Sequence, residues 1–413
     1  MKSGSVWRLP GMGAVAAMSA VSFAGFGMLF ATVPLWAVRA GADAAGAGAI
    51  NGVLMLATVL TQTMIPASLR RLGWAATLIV GLAALGLPSF LFLLSGELWW
   101  LMALSAVRGL GFGVLTVCGS AAIAELAPPL MRGRAVGAYG LAISAPQILT
   151  MTGAPWLAEQ AGFTAVFLLG ALPVLGVPGA LVLARCLNRQ DARRSESADS
   201  AGDSSAGARA APTAAATNSR WALLAPLAVP VLVLLLATSS GGALLTFLPQ
   251  MLTAATLALV GLFVLLTVAA ASRWWIGSLV DSRGSGGLTW PLLAAAAGGL
   301  VLIGTALPGA GAWAIARILL GAALVGLAYG GLQSLTLVHA FERAGPANSR
   351  LASTVWNIGF DGGTGLGSAV VGALATAFSY PAALGVVAAA CLAFAVALVL
   401  RREPRGGSPA ARG

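Results

Sequence analysis

Of the twelve acidic residues in the 413-residue chain, eleven fall in stretches that read as loops or helix ends, and Asp361 alone does not. It lies in an apolar run eleven residues past Arg350. At 1.5 Å per residue that is about 16 Å along a helix, near the middle of a bilayer core. A carboxylate there is costly unless it exchanges a proton, stands opposite a cationic solute or Arg108, or sits protonated and hydrogen-bonded to a neighbouring helix. The first two roles place Asp361 in a central aqueous cavity, and the nearby Trp356 and Asn357 suit such a wall. Arg108 is the corresponding deep base, about 14 Å in from Trp99. It marks an aqueous pathway, or it bonds to neighbouring carbonyls and braces the bundle.

Other polar side chains in apolar surroundings join this set. Gln147, Gln62, Asn51 and Gln333, with Thr238, Ser239 and Ser240, either line the same cavity or hydrogen-bond between helices. Phe23, Phe26 and Phe30 suit an apolar solute or simple helix packing. Gly359, Gly363 and Gly367 recur every four residues, a small-residue stripe that lets one helix lie close on another. Asp361 to Gly365 imitates a phosphate-cradling loop, but it is embedded in an apolar helix and no Walker lysine accompanies it. The single histidine, His339, has no second ligand of its kind nearby, and Cys118, Cys186 and Cys391 lack C-x-x-C spacing. No cofactor or metal is expected. Paired catalytic carboxylates and a nucleophile with a histidine partner are also missing from the pattern, so an enzyme, or a lipid scramblase, is disfavoured.

The elements that hold these residues follow from composition. Hydrophobic residues make up 59% of the chain and charged residues 8%, against roughly 25% charged in an average soluble domain. Cutting at charges, Pro/Gly turns and polar clusters predicts an all-α membrane protein of twelve transmembrane helices. These fall at 11–37, 44–69, 75–95, 98–127, 135–157 and 163–186, then at 221–247, 251–272, 288–308, 311–339, 350–377 and 380–400. The 221–272 stretch holds no charge and is divided at Pro249 and Gln250. The first apolar run, from Leu9 to Val38, is too long for a signal-peptide core. Residues 188–220 are rich in Ser, Ala, Gly, Asp and Arg and read as a flexible cytoplasmic linker. The expected domains are thus an N-terminal six-helix half (1–187), the linker (188–220), a C-terminal half (221–400) and a cytoplasmic tail (401–413).

With both termini in the cytoplasm, the basic loops lie inside and Arg39 alone remains in an outer loop. Topology and anionic lipid therefore account for the net charge of +11, and nucleic acid is not an expected partner. The halves echo each other, with Arg71 and Gly73 recurring as Arg283 and Gly284, and Arg108 as Arg317. Repeated helical halves of this kind place a solute site at the bilayer midplane between them.

Two segments carry a family likeness. Gly277-Ser278-Leu279-Val280-Asp281-Ser282-Arg283-Gly284 resembles the G-x-L-x-D-R-x-G loop signature of the major facilitator superfamily, and Ala106 to Gly113 around Arg108 is similar to the arginine and glycine motif of its fourth helix. The resemblance implies two pseudo-symmetric six-helix halves and alternating access. Gly277 is read as permitting close helix approach, with Asp281 and Arg283 forming ion pairs that lock the cytoplasmic side. In the equivalent first-half loop Arg70 stands where the family has Asp, so Arg71 would pair elsewhere, with Glu125 at the end of the fourth span. The resemblance associates Arg108 with proton coupling. Elements at 347–349 and 356–361 look like those of bacterial efflux members. The expectation is a monomeric plasma-membrane transporter that exports a small organic solute in exchange for protons. Nutrient uptake by symport or uniport is the alternative.

Overall fold

A computed structural model describes residues 6–128, 131–202, 224–283, 287–345 and 348–400. Residues 203–220 of the linker, Gly284 and the tail lie outside the described residues, as do the side chains of Asp281 and Arg283. The described chain is helical from end to end. In order the helices are α1 Met12–Phe30, α2 Thr32–Arg39, α3 Ala44–Gly86, α4 Pro88–Leu91, α5 Leu98–Leu126, α6 Arg132–Ala161, α7 Phe163–Gly170 and α8 Val177–Gly202. They continue with α9 Ala228–Met251, α10 Ala255–Arg283, α11 Thr289–Ala306, α12 Ala312–Ala344, α13 Ser349–Ala377 and α14 Tyr380–Leu400.

Among the described residues, nine helical stretches are long and apolar enough to cross a membrane. One of them, Ala44–Leu91, has 48 residues and is turned at Gly73, whose φ of 75° and ψ of 176° leave the helical region. Glycine adopts that conformation without a Cβ clash. The more polar helices α6 and α13 have 30 and 29 residues, which at 1.5 Å per residue also exceeds a core of about 30 Å. Large apolar side chains such as Leu60, Met64, Leu141, Leu149 and Leu366 are exposed on the outside of the bundle, as contact with lipid tails requires. Trp99 and Trp313 start the helices at one end, called here the Arg39 end. Trp274 and Trp290 stand at the other, the Arg71 end. All four are exposed, in the manner of the amphipathic rings that sit at membrane interfaces. The protein is a multi-pass integral membrane protein.

The break points differ from those expected in four places. The first span bends at Ala31 into α1 and α2, three residues ahead of Pro34, whose ring cannot donate to the helix. The division between α9 and α10 falls at residues 252–254, and Pro249 stays inside α9. Residues 273–283 extend α10 as helix where a loop was expected. Residues 188–202, read as linker, likewise continue α8. A helix already nucleated in the bundle adds each further residue cheaply, and the Ala, Arg, Gln and Glu found here are good helix formers.

Small residues set how closely the helices lie. α13 is wedged between α9 and α3. A Cβ built on Gly363 would lie 2.0 Å from Thr238 Oγ1, and one on Gly367 2.1 Å from the Ser239 carbonyl oxygen; Gly359 faces Val231 at 3.2 Å. These three glycines face α9. A second row, unforeseen, fits α13 to α3. Added Cβ atoms on Gly48 and Gly372 would come within 2.2 Å of Ser368 O and 2.4 Å of Ala44 O. Gly277, in contrast, has no atom within 4 Å of where its Cβ would be. The close helix approach expected there is absent, because the glycine lies on an open stretch of α10.

These contacts separate two substitutions that look alike in the sequence. Gly363→Ala forces α9 and α13 apart at a cost of about 1–3 kcal/mol and lowers the unfolding temperature of the purified protein by several degrees. Gly277→Ala stays within about 0.5 kcal/mol of the parent or gains slightly from helix propensity. Thermal unfolding of the two variants side by side checks both.

Candidate functional site

Asp361 is 5% exposed on α13 and faces α3. Its Oδ2 accepts a hydrogen bond of 2.6 Å from Gln62 Nε2, while Gln62 Oε1 is buried without a partner. Residues 299 apart in the chain thus meet in one buried contact. From there toward the Arg39 end α3 and α13 stay together. Gly365 meets Met55, and Gly52 meets Ala369. Asn51 Nδ2 donates to Phe30 O and to Thr246 Oγ1 at 2.9 Å, and Thr246 Oγ1 pairs with Ser368 Oγ at 2.8 Å. Ala45 N donates to Thr376 Oγ1 at the very end of the pair. The Gln62 and Asp361 pair is the deepest rung of this ladder.

On the other side of Asp361 the polar groups belong to α10 and α12. Tyr329 is within electrostatic reach of both Asp361 and Arg273. Arg273 Nη2 donates to Gln333 Oε1, and Gln333 Nε2 is buried without a partner. Trp356 Nε1 donates to Thr336 Oγ1 at 3.1 Å, and the indole stacks on Phe360. Asn357 bonds to its own helix at Ser353 O and is half-buried, as is Gln147. Two polar clusters are thus present, Gln62 with Asp361 and Arg273 with Gln333, and Tyr329, which hydrogen-bonds Gln333 and Thr364, lies within electrostatic reach of both charged groups. A buried carboxyl group with such neighbours can hold a proton, and the amide, phenol and guanidinium can hydrogen-bond a solute.

Several sequence candidates stand elsewhere. Arg108 is fully buried on α5, with Nε donating to Leu85 O and Nη2 to Gly25 O, both at 3.3 Å. Its guanidinium lies 5.9 Å from the Phe92 ring. The structure does not bring it to Asp361, and it braces α1 and α3 against α5. Phe26 stacks on Phe112 at 3.8 Å, which makes the α1 aromatics packing residues. Ser239 Oγ bonds to Gly363 O, and Thr238 to its own helix. Arg70 and Arg71 are exposed, and Glu125 is half-buried at the end of α5. Gly73 serves as the turning residue between the two parts of α3. At the Arg39 end, Arg39 Nη2 pairs with Glu159 Oε1 beside a cleft of about 350 Å³ that Gln250 and Tyr380 help to line.

Sequence reasoning missed Tyr329 and misjudged Arg273. The signal for Tyr329 was present, since one of only three tyrosines in the chain falls in mid-span. Arg273 falls one residue past the expected span 251–272, whereas α10 continues through it to Arg283.

Long apolar helices thus enclose a buried carboxyl group and its polar neighbours. The chain belongs to the Major Facilitator Superfamily, which it matches over residues 15–350, and it is a secondary transporter of a small solute rather than an enzyme. No curated protein matches it by sequence. Its fold is similar to that of the xylose transporter XylE from E. coli in an inward-open conformation. The TM-score is 0.68 at 14% identity, over 95% of this chain and 96% of that one. A mutant of the nucleoside transporter NupG gives 0.66 at 12% identity over 95% and 100%. An inward-facing bacterial homologue of the lysosomal transporter Spinster gives 0.67 at 13% over 96% of each chain.

The rung that joins α3 to α13 has a measurable strength. Gln62→Ala leaves Asp361 without its donor and costs about 1–3 kcal/mol. A double-mutant cycle with Asp361→Ala, read by thermal unfolding, gives a coupling energy of that size. A coupling near zero would show that the two side chains do not depend on each other.

Proposed function

We propose that this chain is a proton-coupled transporter that takes up a small polar nutrient, with Asp361 as the group that binds the coupling proton. The apolar helices, the turn at Gly73 and the lengths of α6 and α13 support twelve crossings, arranged as two pseudo-symmetric six-helix halves at 1–187 and 221–400 joined by a linker. The basic residues gathered at the Arg71 end support cytoplasmic termini in a plasma-membrane protein that acts as a monomer. The single observation that carries the coupling is the buried Asp361, bonded across the α3–α13 contact to one neutral amide. A carboxylate held by one neutral partner in a low-dielectric site is sensitive to protonation. Loss of its charge changes the one bond at the base of the α3–α13 ladder, and the halves can then rock. Asp281, Arg283, Arg71 and Glu125 are proposed to close the cytoplasmic side when they do.

Uptake is favoured over the export suggested by the 347–361 elements. Relatives of the same fold carry names of nutrient transporters, for xylose, nucleosides and peptides, and the polar side chains of Gln62, Asp361 and Gln333 suit hydroxylated or amide-bearing solutes. Proton-driven export remains the second reading, on the strength of those elements alone.

Proteoliposomes with a trapped pH dye test the assignment. Addition of a nucleoside, sugar or peptide that is a substrate is expected to evoke proton movement in the same direction as the solute. Opposite movement would establish exchange and therefore export. Asp361→Asn keeps an oxygen for Gln62 to donate to, so packing is preserved while proton binding is lost. Solute-driven proton flux in this variant is expected to drop by about tenfold or more, which corresponds to ~1.4 kcal/mol. Undiminished flux would remove Asp361 from the coupling.

A further inference from the structure

We propose that the buried face between α3, α4 and α5 holds a small monovalent anion, bound by Arg108 with Ser89 and Ser105. Three observations converge there. Arg108 is fully buried, yet neither of its partners is a carboxylate: it donates to two backbone oxygens, each at 3.3 Å. Charge-assisted hydrogen bonds of a guanidinium usually lie at about 2.7–2.9 Å, so these are long, and the charge is uncompensated. Its third nitrogen group, Nη1, is buried with no partner. Ser89 Oγ and Ser105 Oγ are likewise buried without partners, and both residues are 0% exposed.

Helix register brings the three together. α3 and α5 run antiparallel in close contact, with the added Cβ of Gly81 meeting Val114 and that of Gly111 meeting Leu85 N. Leu85 and Phe92 both touch Arg108, and Ser89 lies between them in the chain, one helical turn beyond Leu85. Ser105 precedes Arg108 on α5 by three residues, which places both on one side of that helix. Counting from the Leu85 contact, Ser89 and Ser105 fall at the same level. The register thus puts an unused guanidinium nitrogen and two unused hydroxyls at one level of the α3–α5 contact, and the described residues supply no negative partner to the guanidinium. Buried polar groups are normally satisfied, and a donor-only guanidinium beside two hydroxyls that can turn their hydrogens toward a guest favours a negative one. Chloride has the needed charge and size, and so does the carboxylate end of a small solute. This site is separate from Asp361, and its test does not depend on the proton-coupling reading.

The experiment is thermal unfolding of the purified full chain at a fixed ionic strength of about 0.15 M, with lactobionate, an anion too bulky to be buried, replaced stepwise by sodium chloride or by sodium acetate. Chloride is expected to raise the unfolding temperature saturably by about 2 °C, and Ser89→Ala/Ser105→Ala is expected to abolish most of that rise. The comparison between proteins cancels general salt effects. A rise with acetate and none with chloride would support the same site with a carboxylate as its guest. Equal responses of the parent and the double variant to both salts would overturn the proposal, leaving water as the occupant. If the double variant fails to fold, bromide soaked into crystals of the parent decides. An anomalous peak beside Arg108 supports the site, and a clean map there overturns it.

Discussion

The architecture depends on how near the backbone of α13 comes to its two neighbours. Gly363 and Gly367 bring it onto α9, and Gly48, Gly365 and Gly372 bring it onto α3. In a bilayer no hydrophobic force distinguishes helix contact from lipid contact, so dispersion between closely fitted backbones and the hydrogen bonds they permit hold the bundle together. The Thr246, Ser368 and Asn51 bonds exist because these glycines let the helices approach. The same approach excludes water from Asp361. Packing and chemistry are therefore set by the same two rows of glycines.

The two deep ionisable groups show how differently a fold can treat a charge. Asp361 lies at a contact between residues far apart in sequence, where Gln62 donates to it. Arg108 is surrounded by segments of the first part of the chain, from Gly25 to Phe92. A relative movement of α3 and α13 would change the surroundings of Asp361, whereas the partners of Arg108 lie on α1 and on the α3–α5 segment. That difference separates a group suited to switching from one suited to holding a permanent guest or brace.

Much of this was legible in the sequence for a physical reason. Helix length in a bilayer is fixed by core thickness, so apolar run lengths expose the helices directly, and Asp361 stands out as the one acid inside such a run. The Gly359, Gly363, Gly367 stripe could be read from its period of four. What escaped were features that depend on partners. Nothing in the residues around Arg108 says that Leu85 and Gly25, rather than Asp361, will face it. The second glycine row, at 365 and 372, is legible only when Gly48 is known to lie opposite. Gly277 looked like a contact glycine because its motif was familiar, yet only its neighbours in space decide that, and it has none within reach. The extension of α8 and α10 past their polar ends reflects cooperativity, which local composition does not display.

The amide of Gln62 offers more than it uses. Its Nε2 is spent on Asp361, while its Oε1 faces no donor. A carboxamide carries a donor and an acceptor on a planar group that can turn end for end, and a carboxyl group is an acceptor when ionised and a donor when protonated. Turning the amide over therefore gives Asp361 a matched partner in either state. Rotation about one side-chain bond thus lets the pair keep its hydrogen bond whether the acid is ionised or protonated.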